Sequence, residues 1–215
     1  MIKVGYVDDS STLIEDYRTR FTRRGIDLLF CDTCEDMDDI VEWIVHNDIK
    51  CIMVDHRLES KYNFSGTELV ARINSVMPDL QCIIVTSYPN ESIGTKLVSK
   101  NLIRDRSKLD SPSTDFEDFC MEIKDAAAIF DKRKAMHLSE YEILLAKRQK
   151  MIVAPDDTAF DSDDEERFLY LYKLLKTYGE LDDIPTELLK PEAEQRMSSI
   201  LDKLNKLLED VEGRK

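Results

Sequence analysis

Short apolar runs that end in polar residues mark the first half of the chain. One run extends from Ile2 to Val7, another from Cys51 to Val54, and a third from Cys82 to Val85. Runs of this length, bounded by polar residues, are typical of strands buried on both faces of a sheet. The pattern therefore predicts a sheet that is covered by helices on both sides.

Segments with helical periodicity alternate with these strands. The predicted strands cover residues 2–7, 28–31, 50–54, 81–86 and 102–106. The predicted helices cover residues 10–24, 34–47, 65–77, 92–99 and 114–130. Consecutive strands joined by helical crossovers lie parallel in one sheet. We therefore expect an α/β domain over residues 1–130, with five parallel strands in a doubly wound sheet.

The remainder of the chain, residues 131–215, shows helical periodicity alone. Helices are predicted over residues 116–151, 161–179 and from about 192 onward. The first of these is long because neither Gly nor Pro interrupts it before Pro155. The last carries an apolar stripe at helical spacing, in part a heptad pattern. This region is interpreted as a helical bundle or as helices that dimerise or contact an effector.

The composition of the chain argues against several classes of function. The 215 residues carry a formal net charge of −14, and residues 131–215 also contain more acids than bases. Such a charge opposes binding to DNA and to anionic membranes. The N-terminus begins a strand at once, which leaves no signal peptide, and no apolar stretch approaches transmembrane length. A cytoplasmic protein with reduced thiols is expected, although the Cys31-x-x-Cys34 spacing keeps redox chemistry open.

Acidic and hydroxyl side chains follow the predicted strands. Asp8 and Asp9 follow the first strand, Asp55 follows the third, and Thr86 ends the fourth. The carboxyl ends of parallel strands share one edge of the sheet, which is where ligands bind in open α/β folds. Clustered carboxylates without a nearby His or Cys partner suit Mg²⁺ better than zinc. The sequence therefore predicts a magnesium site at this edge.

A carboxylate beside such a metal can act as a nucleophile and form an acyl phosphate. The metal would neutralise phosphoryl oxygens, and a lysine and a hydroxyl would bind others. Lys108, just after the weak fifth strand, and Thr86 supply those groups.

These residues resemble the receiver domain of response regulators in two-component signalling. The resemblance is carried by Val7-Asp8-Asp9-Ser10, Val54-Asp55, Ile84-Val85-Thr86-Ser87 and Lys108, in register with five βα units over somewhat more than half the chain. It implies a flavodoxin-like fold in which Asp55 accepts a phosphoryl group from a sensor histidine kinase or a phosphotransfer protein. Self-catalysed transfer and autodephosphorylation are the only enzymatic steps that it implies.

The resemblance also assigns the surrounding residues. Asp8, Asp9, Asp55 and the backbone carbonyl of Arg57 would hold Mg²⁺. Thr86, Ser87 and Lys108 would contact the phosphoryl group, with Thr86 as the switch hydroxyl.

Three positions depart from the family pattern. Glu59 stands where a proline is usual, Asp105 stands where an aromatic residue is usual, and Leu109 follows Lys108 in place of a proline. The phosphorylation chemistry is therefore expected to be present, whereas the aromatic coupling to an output surface is in question.

Other function classes stay open. The domain could be a pseudo-receiver that acts only as an interaction module, or its helical part could carry an undetected enzymatic output. A haloacid-dehalogenase-like phosphatase fits less well, because that family needs a second aspartate two residues after a nucleophile on the first strand, and Asp8-Asp9-Ser10 lacks this spacing. A separate effector protein and a homodimer through the C-terminal helices are the partners considered, and no DNA partner is expected.

Overall fold

The computed structural model describes residues 1–10, 14–58, 60–110, 114–153, 160–185, 199–200 and 203–204. The strands are β1 (Ile2–Val7), β2 (Ile26–Phe30), β3 (Cys51–Val54), β4 (Cys82–Thr86) and β5 (Ile103–Asp105). The helices are α1 (Ile14–Thr22), α2 (Met37–His46), α3 (Gly66–Val76), α4 (Pro89–Gly94), α5 (Ser107–Asp110), α6 (Thr114–Val153) and α7 (Ser162–Thr177), with a 3-10 turn at Lys100–Leu102.

The five strands form one parallel sheet in the order β2-β1-β3-β4-β5. β1 and β3 are therefore neighbours at the centre, and the switch in strand order falls between them. Ligand sites of open α/β sheets lie outside the carboxyl ends of the strands at such a switch point. The predicted fold class, an α/β parallel sheet followed by helices, is confirmed.

The chain divides into two compact units, and the boundary lies within α6. One unit contains Met1–His137 and Thr177–Gly179, and the other contains Leu138–Lys176 and Glu180–Lys215. The division predicted from the sequence, 1–130 and 131–215, stays a prediction about which parts fold on their own.

Local sequence explains where several elements begin. α3 starts with a capping box, in which Ser65 accepts from the Glu68 backbone and Glu68 accepts from the Ser65 backbone. α4 was predicted to begin at Ser92 but begins at Pro89, because the fixed φ of proline suits the first turn of a helix. α1 ends before Gly25, whose φ of 77° lies in the left-handed region that glycine adopts without strain.

The core of the first unit packs strand side chains against α1 and α6. Its members include Tyr6 and Leu28 from the sheet, Phe21 from α1, and Phe119 and Ile123 from α6, all buried. This packing holds the central strands rigid, and with them the side chains at their carboxyl ends.

The second unit contains the later part of α6 and α7 as far as Lys176. Its core stacks the rings of Tyr141 and Phe168 with centroids 5.0 Å apart, and Leu144, Leu171 and Leu175 surround them. The predicted long helix to about Met151 and the helix ending near Gly179 are both observed. Most of the helix predicted from about residue 192 lies outside the described residues.

Candidate functional site

Two acids at the carboxyl ends of adjacent central strands form the centre of the site. Asp8 follows β1 and Asp55 follows β3, and the Asp55 backbone N–H donates to the Val7 carbonyl at 2.9 Å. Asp8 is 2% exposed and Asp55 is 7% exposed. The parallel pairing of β1 with β3 is thus what brings the two carboxylates side by side.

Asp9 completes a cluster of three acids. Carboxylate oxygens of Asp8, Asp9 and Asp55 all lie within 4.8 Å of one another. Asp9 is partly exposed and accepts a hydrogen bond from the hydroxyl of Ser60, in the loop after β3. The structure therefore brings together the three acids that the sequence proposed as metal ligands.

A guanidinium group faces the two buried acids. The Arg106 Nη2 atom lies 2.7 Å from Asp8 Oδ2 and 3.0 Å from Asp55 Oδ2. Arg106 directly follows β5, and its backbone N–H donates to the Thr86 carbonyl at 3.0 Å. The cation of this cluster is therefore Arg106, from the edge strand.

Backbone and side-chain donors complete the environment of the acids. Tyr6 Oη donates to Asp8 Oδ2 at 2.5 Å, and the Ser10 N–H donates to Asp8 Oδ1 at 2.8 Å. Asp55 Oδ1 accepts from the His56 N–H at 2.8 Å. Burial raises the pKa of Asp55, and the neighbouring charge of Asp8 adds to this effect, while the positive charge of Arg106 opposes it.

Thr86 lies within the site, and Ser87 lies at its rim. The Thr86 residue is fully buried, and its hydroxyl forms a hydrogen bond with the Asp55 carboxylate that lowers the pKa of Asp55. The same oxygen accepts from the Tyr88 N–H at 3.2 Å. Ser87 is exposed. A hydroxyl is therefore placed where it can bind a group attached to Asp55.

Among the described side-chain contacts, none joins Lys108 to the three acids, so its role at the site stays a prediction. Lys108 is exposed on α5 and lines a small polar pocket of the first unit with Arg104, Asp118 and Glu122. The next residue, Leu109, is 1% exposed in the core. Adjacent residues of a helix point about 100° apart, so burial of Leu109 directs Lys108 toward solvent.

Asp105 caps the helical turn that carries Lys108. It pairs with Thr86 in the sheet, and its carboxylate accepts from the Ser107 N–H at 2.9 Å. This bond starts α5 directly after β5. The residue in the usual aromatic position is thus an exposed capping acid.

Arg57, whose carbonyl was proposed as a metal ligand, has a well-defined side chain. Its guanidinium donates to Glu91 through Nε at 3.1 Å and Nη2 at 2.7 Å. The guanidinium carbon lies 3.5 Å from the ring centroid of Tyr88. These contacts hold the loop after β3 against α4, next to the acid cluster. Glu59, in the same loop, lies outside the described residues.

The three acids and their setting fit a divalent cation. Oxygen-only ligands at this mutual separation are those that Mg²⁺ accepts, and Asp9 is exposed enough to leave water on the ion. A cation there would neutralise acids that Arg106 alone balances only in part. Asp8, Asp9, Asp55 and the Arg57 carbonyl are the groups that would hold it.

Sequence reasoning missed Arg106 and Tyr6. Arg106 would have been found by the same rule that selected Asp8 and Asp55, namely the residue directly after a strand, had β5 been ended at Asp105. Tyr6 belongs to an apolar run and was assigned to the core. Its hydroxyl nevertheless reaches Asp8, two residues away on the same face of the strand.

No protein-family model matches the sequence, and no curated protein matches it significantly. The chain is 14% identical to the signal receiver domain of an HD domain-containing protein from Pseudomonas fluorescens, with a TM-score of 0.48, and the match covers 62% of this chain and 92% of that chain. It is 16% identical to a response regulator receiver domain from Methanospirillum hungatei, with a TM-score of 0.45 and coverages of 62% and 98%.

A response regulator protein from Thermotoga maritima, solved in complex with Mg²⁺-BeF, is 14% identical, with a TM-score of 0.44 and coverages of 59% and 99%. Among the described residues of our chain, no helix is both long and apolar enough to cross a membrane.

The strand order β2-β1-β3-β4-β5 with all strands parallel is itself the flavodoxin-like order, which receiver domains share. The first unit therefore has the flavodoxin-like fold of receiver domains, and the chain continues beyond it in the later part of α6 and most of α7.

Proposed function

We propose that this protein is a signalling protein that accepts a phosphoryl group on Asp55. The observation that carries the proposal is the cluster of Asp8, Asp9 and Asp55 carboxylates, within 4.8 Å of one another at the switch point of the sheet. A buried acid at the end of a central strand, next to two further acids and a cation, is equipped to form a transient acyl phosphate. Asp55 is the nucleophile of this proposal.

The donor is a histidine kinase or a phosphotransfer protein, as the resemblance to receiver domains implies. An Asp55 oxygen forms a bond to phosphorus as the phosphorus–nitrogen bond of the donor's phosphohistidine breaks, and the imidazole nitrogen takes up a proton. Bound Mg²⁺ would stabilise the charge on the phosphoryl oxygens. A cytoplasmic location is part of this proposal.

The chain's own groups orient the reacting carboxylate. The Thr86 hydroxyl and the His56 N–H hold Asp55 by hydrogen bonds, and the Asp55 backbone is paired to β1. Arg106 supplies positive charge beside Asp55, in the role that the resemblance assigned to Lys108. Ser87, at the rim, can contact the phosphoryl group from the solvent side.

The helical region is proposed to pass the signal on through protein contacts. Along the part of α6 that belongs to the first unit, the large apolar side chains of Ile129 and Met136 are exposed seven residues apart. That spacing suits packing against another helix, either of a separate effector or of a second copy of the chain. Sedimentation with and without a phosphodonor separates these two partners, because the homodimer forms in the purified protein alone.

A second candidate function is a pseudo-receiver that binds partners without phosphorylation. It is favoured by Arg106, because a guanidinium that pairs with both Asp8 and Asp55 balances part of their charge without a metal. The two candidates differ in whether Asp55 accepts phosphate.

The deciding experiment is incubation with acetyl phosphate and Mg²⁺, followed by intact-mass measurement. We expect wild type to gain one phosphoryl group and Asp55→Asn to gain none. Asp125→Asn, which changes an exposed acid on α6, is the matched control and should react like wild type. Equal labelling of Asp55→Asn and wild type contradicts the assignment of Asp55, and absence of labelling in all three supports the pseudo-receiver.

A further inference from the structure

Arg106 stands between the two most deeply buried acids of the site. Its Nη2 atom is within 3.0 Å of both Asp8 Oδ2 and Asp55 Oδ2, and its side chain is 19% exposed. Ion pairs in such a setting are screened much less than pairs at the surface. One nitrogen atom thus serves as the counter-ion of both carboxylates.

Asp8 has little hydrogen-bonding capacity left for a further ligand. A carboxylate offers about four lone-pair positions. In Asp8, three are taken by the Tyr6 hydroxyl, the Ser10 N–H and Arg106. A metal ion that binds Asp8 therefore has one remaining lone pair, or it displaces one of these donors.

The carboxylate oxygens of Asp55 likewise already accept hydrogen bonds. Its carboxylate accepts from the His56 N–H and from Arg106, and it is hydrogen-bonded to Thr86. Asp9 differs, because its partner is the neutral hydroxyl of Ser60. An incoming cation thus meets a resident positive charge at two of the three acids.

We propose that Arg106 competes with the divalent cation for Asp8 and Asp55, so that cation binding requires the guanidinium to leave these carboxylates. The inference rests on the proposed function, since it concerns the ion that phosphoryl transfer uses. Its physical basis is the repulsion between a divalent cation and a guanidinium that share the same oxygen atoms in a poorly screened site. The displaced group stays beside Asp55 and becomes the cation that pairs with phosphoryl oxygens.

The competition can be observed in the wild-type protein. Backbone amide and arginine Nε–H resonances are recorded by NMR during a titration with Mg²⁺ alone. We expect the Arg106 Nε–H signal to shift along the same saturation curve as the amides of Asp9 and Ser10. The Nε–H signal of Arg104, which pairs with Glu122 at 2.6 Å outside the site, should remain unchanged. Saturable amide shifts without a shift of Arg106 overturn the inference.

A substitution then measures the size of the competition. Mg²⁺ affinity is determined by calorimetry for wild type, Arg106→Gln and Arg104→Gln, which lose the same charge at different places. Removal of a charge-assisted hydrogen bond that opposes the metal is expected to tighten binding about tenfold in Arg106→Gln relative to Arg104→Gln. Equal affinities, or weaker binding by Arg106→Gln, contradict the inference.

The outcomes separate this inference from the proposed function. If wild type is phosphorylated on Asp55 and binds Mg²⁺ without moving Arg106, the proposed function stands and the competition is wrong. If Arg106→Gln binds Mg²⁺ and wild type does not, the competition is supported in its strongest form. If Mg²⁺ shifts no amide near Asp8 or Asp55 in either protein, both proposals fail together.

Discussion

The guanidinium carbon of Arg57 lies 3.5 Å from the centre of the Tyr88 ring. Arg57 follows Asp55 by two residues, and Tyr88 follows Thr86 by two, so the contact joins the loops after β3 and β4. In the family that the sequence resembles, an aromatic residue is usual at the position that Asp105 occupies in this chain. In the structure, Tyr88 places an exposed aromatic ring in the β4–α4 loop, two residues after Thr86, in addition to the buried Tyr6 ring whose hydroxyl contacts Asp8.

The Arg57–Tyr88 contact should contribute measurably to stability. We expect Tyr88→Ala to lower the free energy of unfolding by about 0.5–1 kcal/mol, the range of cation–π contacts at exposed sites. Chemical denaturation is the measurement. Arg57→Gln in the Tyr88→Ala background should then cost less than it does in wild type, because its ring partner is already gone. Additive effects of the two changes on the free energy of unfolding would show that the contact does not contribute to stability.

Gly66 allows α3 to begin against the Asp55 backbone. A Cβ atom at position 66 would lie 1.8 Å from the Asp55 carbonyl oxygen, so Gly66→Ala must displace the backbone that carries Asp55. We expect a loss of about 1–3 kcal/mol in unfolding free energy together with weaker phosphoryl acceptance. Gly94→Ala is the control, since nothing lies within 4 Å of its Cβ position. Equal losses of unfolding free energy in the two variants would contradict the close approach of Gly66 to the Asp55 carbonyl.

The capping box of α3 should make stability depend on pH through Glu68. The hydrogen bond from the Ser65 backbone lowers the pKa of Glu68 below its ordinary value. A carboxylate with a lowered pKa adds stability above its pKa in the unfolded chain, and this stability is lost as pH falls through the lowered value. Because Glu68 is exposed and solvent screens its charge, we expect Glu68→Gln to cost at most about 0.5 kcal/mol at neutral pH and nothing in strong acid.

Denaturation curves at a series of pH values test this. Glu42→Gln, an exposed change within α2, provides the comparison. Its difference in stability from wild type should not disappear as the pH falls. A Glu68→Gln deficit that persists unchanged in strong acid would argue against the charge as its cause.

The cysteines should react slowly in the native protein. All five are free and buried, and burial raises the pKa of Cys51 to about 12 and that of Cys120 to about 11. Burial also raises the pKa of both Cys31 and Cys34. Since the thiolate is the reactive form, we expect an aromatic disulfide reagent to label the thiols on unfolding and only slowly before it. Rapid labelling of native Cys31 or Cys34 would instead favour redox chemistry.

The fold and most of the site could be predicted from the sequence because both are encoded locally. Each apolar run identifies a strand, and the residue that follows it is carried to the carboxyl edge of the sheet, which is how Asp8, Asp55 and Thr86 were found. Helix bounds shifted by a few residues where capping or proline chemistry acted, as at Pro89.

Only the tertiary structure decided which positively charged side chain faces the buried acids. Lys108 has the family spacing, but burial of Leu109 and the cap from Asp105 start a helical turn after β5, which turns Lys108 outward. Arg106 then faces Asp8 across 98 positions of sequence. No local pattern records that contact, because it depends on where a charged edge strand ends and on which side chains pack beneath the next turn.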